Sequence, residues 1–259
     1  MNKSNVRDKN AFICDMDGVI YHGDRLLKGV TGFVEWLKKE KKRYLFLTNS
    51  SSRTPKQLKE KLSGFGLEID EKHFMTSALA TATFLKSQCP QGKAYIIGEN
   101  ALSEALCDAS LRIGNTRPDY VVVGETKNYN YEKIETAINL VLKGAKLIGT
   151  NPDLTGPTEK GISPACRALI SPIELATGRT AYFIGKPNPL IMRHSLKKLR
   201  SRRENTVIIG DRMDTDIIAG IESEIETVLV LSGITSKDDL QLFSYKPHYV
   251  FNHVGEICS

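Results

Sequence analysis

Short apolar runs, each ending in polar or small residues, recur along the chain and alternate with stretches whose apolar residues repeat at helical spacing. The first run, "AFIC" (11–14), leads straight into Asp15 and Asp17. A helical stretch over 32–40 follows, with Phe33, Val34, Trp36 and Leu37 on one face. "RYLFLTN" (43–49) predicts a second strand, and helices are predicted over 55–63 and 78–87. Toward the end, "TVIIGD" (206–211) precedes a predicted helix over 214–221, and "TVLVLSG" (227–233) precedes another turn or helix. Strands alternating with helices at this spacing imply a parallel sheet covered by helices. Right-handed crossovers then make a doubly wound α/β core the expected topology.

The middle of the chain repeats the theme by itself. "KAYIIG" (93–98), "DYVVVG" (119–124) and "AKLIGT" (145–150) read as strands, with helices near 102–107, 131–142 and 164–177. Roughly 100 residues suffice for an independent core, so an inserted second α/β unit is expected. The expected domains are a core over 1–77 and 182–259, interrupted by an inserted domain over 78–181. No internal repeat or low-complexity tract modifies this division.

An apolar fraction of 41% and a charged fraction of 25% are ordinary for a globular protein and argue against disorder. The five cysteines (Cys14, Cys89, Cys107, Cys166 and Cys258) are odd in number and show no Cys-x-x-Cys spacing. Neither a disulfide framework nor a zinc site is expected. Cys14 adjoins Asp15, but on a strand it points the other way, toward packing. The net charge of +6 comes largely from "KKEKKR" (38–43) and "KKLRSRR" (197–203). Both clusters end predicted helices, where cations complement the dipole, and neither is interleaved with aromatics. No nucleic-acid partner is expected; attracting a small anionic substrate is as good a use for the excess. The polar start "MNKSNVRDKN" lacks the apolar core of a signal peptide, and no run is long enough for a membrane span. The expectation is a cytoplasmic protein with no membrane partner.

In open parallel sheets, ligands bind at the carboxyl ends of the strands, where the strand order reverses. The polar residues closing the apolar runs are Asp15 and Asp17, Thr48 and Asn49, and Asp211, with Lys186 in "FIGKPNP". Each alone reads as a turn residue, a helix cap or a surface lysine. Together they gather three carboxylates, one cation and several small donors on one edge of one sheet. A divalent cation held by Asp15, Asp17 and Asp211 would relieve their mutual repulsion, and incomplete oxygen ligation suits magnesium. Thr48 and the amides after it suit a phosphate, which Lys186 would neutralise. The set reads as a phosphate site with a metal.

The chain resembles the haloacid dehalogenase superfamily, whose four motifs appear in order as "DMDGV" (15–19), "LTN" (47–49), Lys186 in "GKP", and "GDRMDTD" (210–216). "DGVIYHG", "FLTNSSSRTP", "GTNPDLTGPT" and "TGRTAYFIGKPNP" resemble the NagD-like, para-nitrophenyl phosphatase branch. In that branch a cap domain lies between the second and third motifs, where the central α/β unit falls. The resemblance implies that Asp15 is the nucleophile forming an aspartyl phosphate, and that Asp17 is the general acid and base. It implies magnesium on Asp15, the backbone carbonyl of Asp17, and Asp211. Thr48 and the Asn49 amide would hold the phosphoryl group with help from Ser50, Lys186 would balance charge, and Asp216 would support Lys186 or the metal's waters.

Dehalogenases generally lack the second aspartate, so Asp17 favours a phosphatase. Small phosphomonoesters such as nucleoside monophosphates or sugar phosphates are the implied substrates. A phosphate-ligand sensor on the same fold is the rival reading, disfavoured by the intact Asp15, Asp17 and Lys186. Asn151 and Asp153, in the loop 150–161, are candidates for substrate contact. His22 follows the first motif closely but is kept out of the catalytic set. The resemblance also allows a cap-mediated homodimer.

Overall fold

A computed structural model describes residues 4–158 and 161–258. The chain forms two compact units. The first takes the residues up to Thr48, Lys59–Met75, and those from Lys186 onward; the second takes Asn49–Leu58 and Thr76–Gly185.

The first unit carries a six-stranded sheet in the order Tyr249–Phe251, Glu226–Val230, Thr206–Gly210, Ala11–Asp15, Arg43–Thr48, Phe74–Thr76. The first five strands run parallel. Ala11, Phe12, Ile13 and Cys14 are all fully buried, as continuous apolar strands covered on both faces must be. The helix Val30–Lys39 turns Val30, Phe33, Val34 and Leu37 inward. Phe12 meets Trp36 edge-on at 5.3 Å between ring centroids, a favoured aromatic geometry.

Ala11–Asp15 lies between Arg43–Thr48 and the much later Thr206–Gly210, so the strand order reverses there. In register, Asp15 sits opposite Leu47 and Cys14 opposite Ile209. Asp15, Thr48 and the Gly210–Asp211 step therefore close adjacent strands at one edge. The helix predicted over 214–221 is instead a π-helical turn, Met213–Ile217, followed by the short helix Ile218–Glu222. Asp216 of that turn packs so closely on Gly210 that a Cβ there would lie 2.1 Å from the Asp216 Cβ.

The second unit has a five-stranded parallel sheet in the order Tyr182–Phe183, Lys146–Gly149, Tyr120–Val123, Lys93–Ile97, Arg112–Ile113. The helices Ser77–Gln88, Asn100–Asp108, Tyr131–Leu142 and Cys166–Thr177 belong to it. Its core joins Val121, Val123 and Leu147 to Leu169, Ile170 and Ile173. Part of the expected loop 150–161 is ordered as an antiparallel ribbon, Thr155–Thr158 with Gly161–Pro164. Glu159 and Lys160 of that loop lie outside the described residues. Among the described residues no helix is long and apolar enough to cross a membrane.

Candidate active site

In the first unit, Lys186 is 2% exposed, which removes the surface-lysine reading. Its Nζ donates to Asp15 Oδ1 at 2.5 Å and to Asp216 Oδ1 at 2.6 Å. Burial alone would push the ammonium's pKa down, but the two carboxylates outweigh it and hold it above the ordinary lysine value. The lysine is charged at any physiological pH. Asn188 follows shortly and caps the helix Pro189–Leu199 by accepting from the Leu190 N–H at 2.9 Å, which anchors the segment just after Lys186.

Burial raises the Asp15 carboxyl well above the ordinary range, Lys186 pulls it back, and Asp216 and Asp211 push it up again. Asp211 is pushed up to about 7, first by burial and then by Asp216. Its Oδ2 accepts from the Ile234 N–H at 2.8 Å, while its buried Oδ1 has no hydrogen-bond partner. Two glycines make room for this carboxylate. A Cβ on Gly18 would come within 2.4 Å of Asp211 Oδ2, and one on Gly233 within 2.0 Å. Gly18 also has φ +79°, a conformation that favours glycine.

Asp15, Asp211 and Asp216 offer carboxylate oxygens within 4.8 Å of one another. Three close carboxylates against one ammonium, with an orphaned buried oxygen among them, fit a hard divalent cation. The carboxylate of Asp17 is not in that group. It is exposed, with Oδ1 3.5 Å from His22 Nδ1, so from Asp17 only the backbone carbonyl is left as a candidate ligand. Asp17 lies in a tight turn in which the Gly18 N–H donates to the Tyr21 carbonyl at 2.8 Å. Thr48 ends its strand partly exposed. Cys14 is fully buried and its thiol pushed up by burial and then by Asp15, so it is an inert packing residue.

The second unit gathers a different group. Asn49 Nδ2 donates to Asp153 Oδ2 at 2.9 Å, and Asn151 Nδ2 donates to the Asn49 carbonyl at 2.8 Å. Asn151, expected as a substrate contact, has no exposed side-chain surface to offer one. It is fully buried, and its amide is satisfied there by the Asn49 carbonyl and by Glu125 Oε1, the latter at 2.6 Å. Ser50 pairs with Ser52, Oγ to Oγ, at 2.9 Å. Ser51 and Glu125 are the members that reading the sequence missed. Glu125 Oε2 accepts from both the N–H and the hydroxyl of Ser51, each at 2.8 Å. Burial pushes the Glu125 carboxyl up, and the bonds from Ser51 and Asn151 oppose the rise. Glu125 closes "YVVVGE" as Asp211 closes "TVIIGD", and that signal was available.

Comparison with known proteins adds an independent line. Residues 12–112 match the haloacid dehalogenase-like hydrolase family, and residues 183–257 match a second HAD-hydrolase-like description. The chain is 42% identical over 247 residues to dihydroxyacetone phosphatase of Corynebacterium glutamicum, covering 95% of this chain and 90% of that one. It is 40% identical over 246 residues to ribonucleotide monophosphatase NagD of Escherichia coli K12, covering 95% and 96%. The solved NagD structure superposes with a TM-score of 0.91, covering 96% of this chain and 98% of that one. A Mycobacterium tuberculosis glycerol phosphate phosphatase in complex with magnesium also matches, at 26% identity and TM-score 0.91, covering 97% of this chain and 77% of that one.

Proposed function

The chain belongs to the haloacid dehalogenase-like hydrolases, and from that premise we propose that it is a magnesium-dependent phosphatase of small phosphomonoesters. The observation that carries this reading is Lys186, buried between Asp15 and Asp216 beside the orphaned Asp211 oxygen. A buried ammonium next to a carboxylate nucleophile is what attack on a phosphate anion requires. A carboxylate 4 Å from one phosphate charge is repelled by about 4 kcal/mol at an effective dielectric of 20.

In this mechanism an Asp15 carboxylate oxygen attacks phosphorus, and the bond from phosphorus to the leaving oxygen breaks. Asp17, as the acid, gives that oxygen its proton, and the alcohol departs. Asp17, now a carboxylate, takes a proton from water as the hydroxide attacks phosphorus. The acyl phosphate bond breaks, releasing inorganic phosphate and restoring Asp15 and the Asp17 acid. The exposure of Asp17 suits a group that exchanges protons with leaving group and water. Thr48 and the Asn49 N–H receive the phosphoryl oxygens, and Asp216 keeps Lys186 aimed at Asp15. Asp15, Asp211 and the Asp17 carbonyl would hold magnesium, which when bound stabilises charge on the transferring phosphoryl group.

The substrate class follows the relatives: dihydroxyacetone phosphate and ribonucleotide monophosphates are both small, diffusible phosphomonoesters. The test is phosphate release from a panel of sugar phosphates, triose phosphates and nucleoside monophosphates, with magnesium or with chelator. Release is expected only with magnesium, and Asp15→Asn should abolish it while leaving the folded circular-dichroism spectrum intact. Release that persists in folded Asp15→Asn would sink the nucleophile assignment.

A further inference from the structure

Resting on the phosphatase reading above, we propose that Glu125 is a positioning residue for the backbone that follows Thr48, acting through Ser51 and Asn151. Three donors converge on its carboxylate. The N–H and hydroxyl of Ser51 reach Oε2, each at 2.8 Å, and Asn151 Nδ2 reaches Oε1 at 2.6 Å. The same Asn151 nitrogen donates to the Asn49 carbonyl at 2.8 Å, and Ser77 Oγ donates there as well at 2.5 Å. The side chain of Asn49 is held separately by Asp153. One carboxylate thus governs residue 51 directly and residue 49 through a single intermediary. The peptide after Asn49 cannot rotate without breaking two bonds to its carbonyl.

The arrangement is buried and closely packed. Ser51, Ser77, Thr150 and Asn151 are fully buried. A Cβ on Gly124 would lie 2.5 Å from Ser51 Oγ, and one on Gly185 would lie 2.7 Å from Asn49 Oδ1. Glycine at both positions leaves the space that the Ser51 hydroxyl and the Asn49 side-chain oxygen occupy. Asn49, Ser77 and Gly185 also stand within two residues of points where the chain passes from one unit to the other. The network holds the backbone at Asn49 and Ser51, directly after Thr48 in the chain.

The residue type matters, because only a carboxylate presents two acceptor oxygens to these donors. Glutamine has the same shape but one acceptor and one NH2 group. Its NH2 must face either the Asn151 amide or the Ser51 N–H, a donor against a donor. Glu125→Gln should therefore loosen the 49–51 backbone while conserving volume.

Two measurements on the full-length protein test the inference. Hydrogen exchange should quicken at the amides of residues 49–52 in Glu125→Gln and stay unchanged in the helix Tyr131–Leu142. At a temperature where the variant is folded, its kcat/KM should fall about tenfold or more, with the inhibition constant of inorganic phosphate rising in parallel. If Glu125 only stabilises the second unit, the melting temperature drops but kinetics and phosphate inhibition stay at wild-type values, and the proposal is overturned. Unchanged exchange at 49–52 overturns it too. Should Glu125→Gln not fold, Ser51→Ala carries the same readouts. It removes one of the three bonds, so smaller changes in the same direction are expected, and no change refutes the inference. Wild-type protein that releases no phosphate from any substrate sinks the phosphatase reading instead; the exchange measurement still judges the network.

Discussion

Lys186 shows how far one side chain depends on its surroundings. Replacing it by alanine leaves Asp15 and Asp216 facing each other without a cation and leaves an incoming phosphate unneutralised. At about 4 kcal/mol for one phosphate charge, Lys186→Ala should cost about a thousandfold in kcat. Near-normal turnover in the folded variant would refute the role. Gly18 works by what it lacks. An alanine Cβ would sit 2.4 Å from Asp211 Oδ2 and would have to adopt φ +79°. Gly18→Ala should displace the Asp211 carboxylate and raise the magnesium concentration for half-maximal activity by about tenfold or more. A magnesium titration of phosphate release checks this. Lys186 stood out in the sequence through "GKP", whereas the duty of Gly18 toward Asp211 did not, since 193 positions separate the two (211 − 18).

At the scale of the element, the π-helical turn Met213–Ile217 assigns opposite fates to aspartates two residues apart. Asp216 is fully buried on Lys186. Asp214 faces outward and pairs with Arg212 at 2.8 Å. Asp216→Asn takes away half of a buried cation's countercharge, a loss of about 3 kcal/mol, and should lower the melting temperature by about 6 °C or more. Asp214→Asn breaks an exposed pair worth less than about 1 kcal/mol and should shift it by less than about 3 °C. Thermal melts of the two variants, side by side, decide the point; equal shifts would contradict the geometry. Periodicity alone made this segment a helix, because a turn with one extra residue has no apolar signature of its own. The strands were easier to read: runs such as "FIC" and "VVV" are apolar at every position because both faces are covered.

The whole molecule concentrates its electrostatic conflict in the first unit's carboxylates. Asp211, pushed up to about 7, keeps a proton in the folded state that an unfolded chain gives up near pH 4. The folded state then binds more protons than the unfolded one, so without metal Asp211 makes stability fall as pH rises from about 4 to about 7. A divalent cation bound at these carboxylates would replace the proton. Its stabilising effect should therefore grow across the same window. Melting temperatures with magnesium and with chelator, between about pH 5 and pH 8, should diverge as pH rises. A gap that narrows with pH would argue against metal binding at these carboxylates.

The amino-acid order by itself determined the α/β class, the parallel sheets and the residues that close their strands, because each is written in local periodicity and in what terminates an apolar run. It singled out Asp15, Asp17, Thr48, Lys186 and Asp211 on those grounds. Only the tertiary structure decided which of them meet. It buried Lys186 between Asp15 and Asp216, left the Asp17 carboxylate in solvent, and turned Asn151 inward onto Asn49, 102 positions earlier in the chain. It also joined Ser51 to Glu125 across 74 positions. Such pairings follow from where sheets place distant loops, and the cost of leaving buried donors and charges unpaired then selects the partners, which no local pattern records.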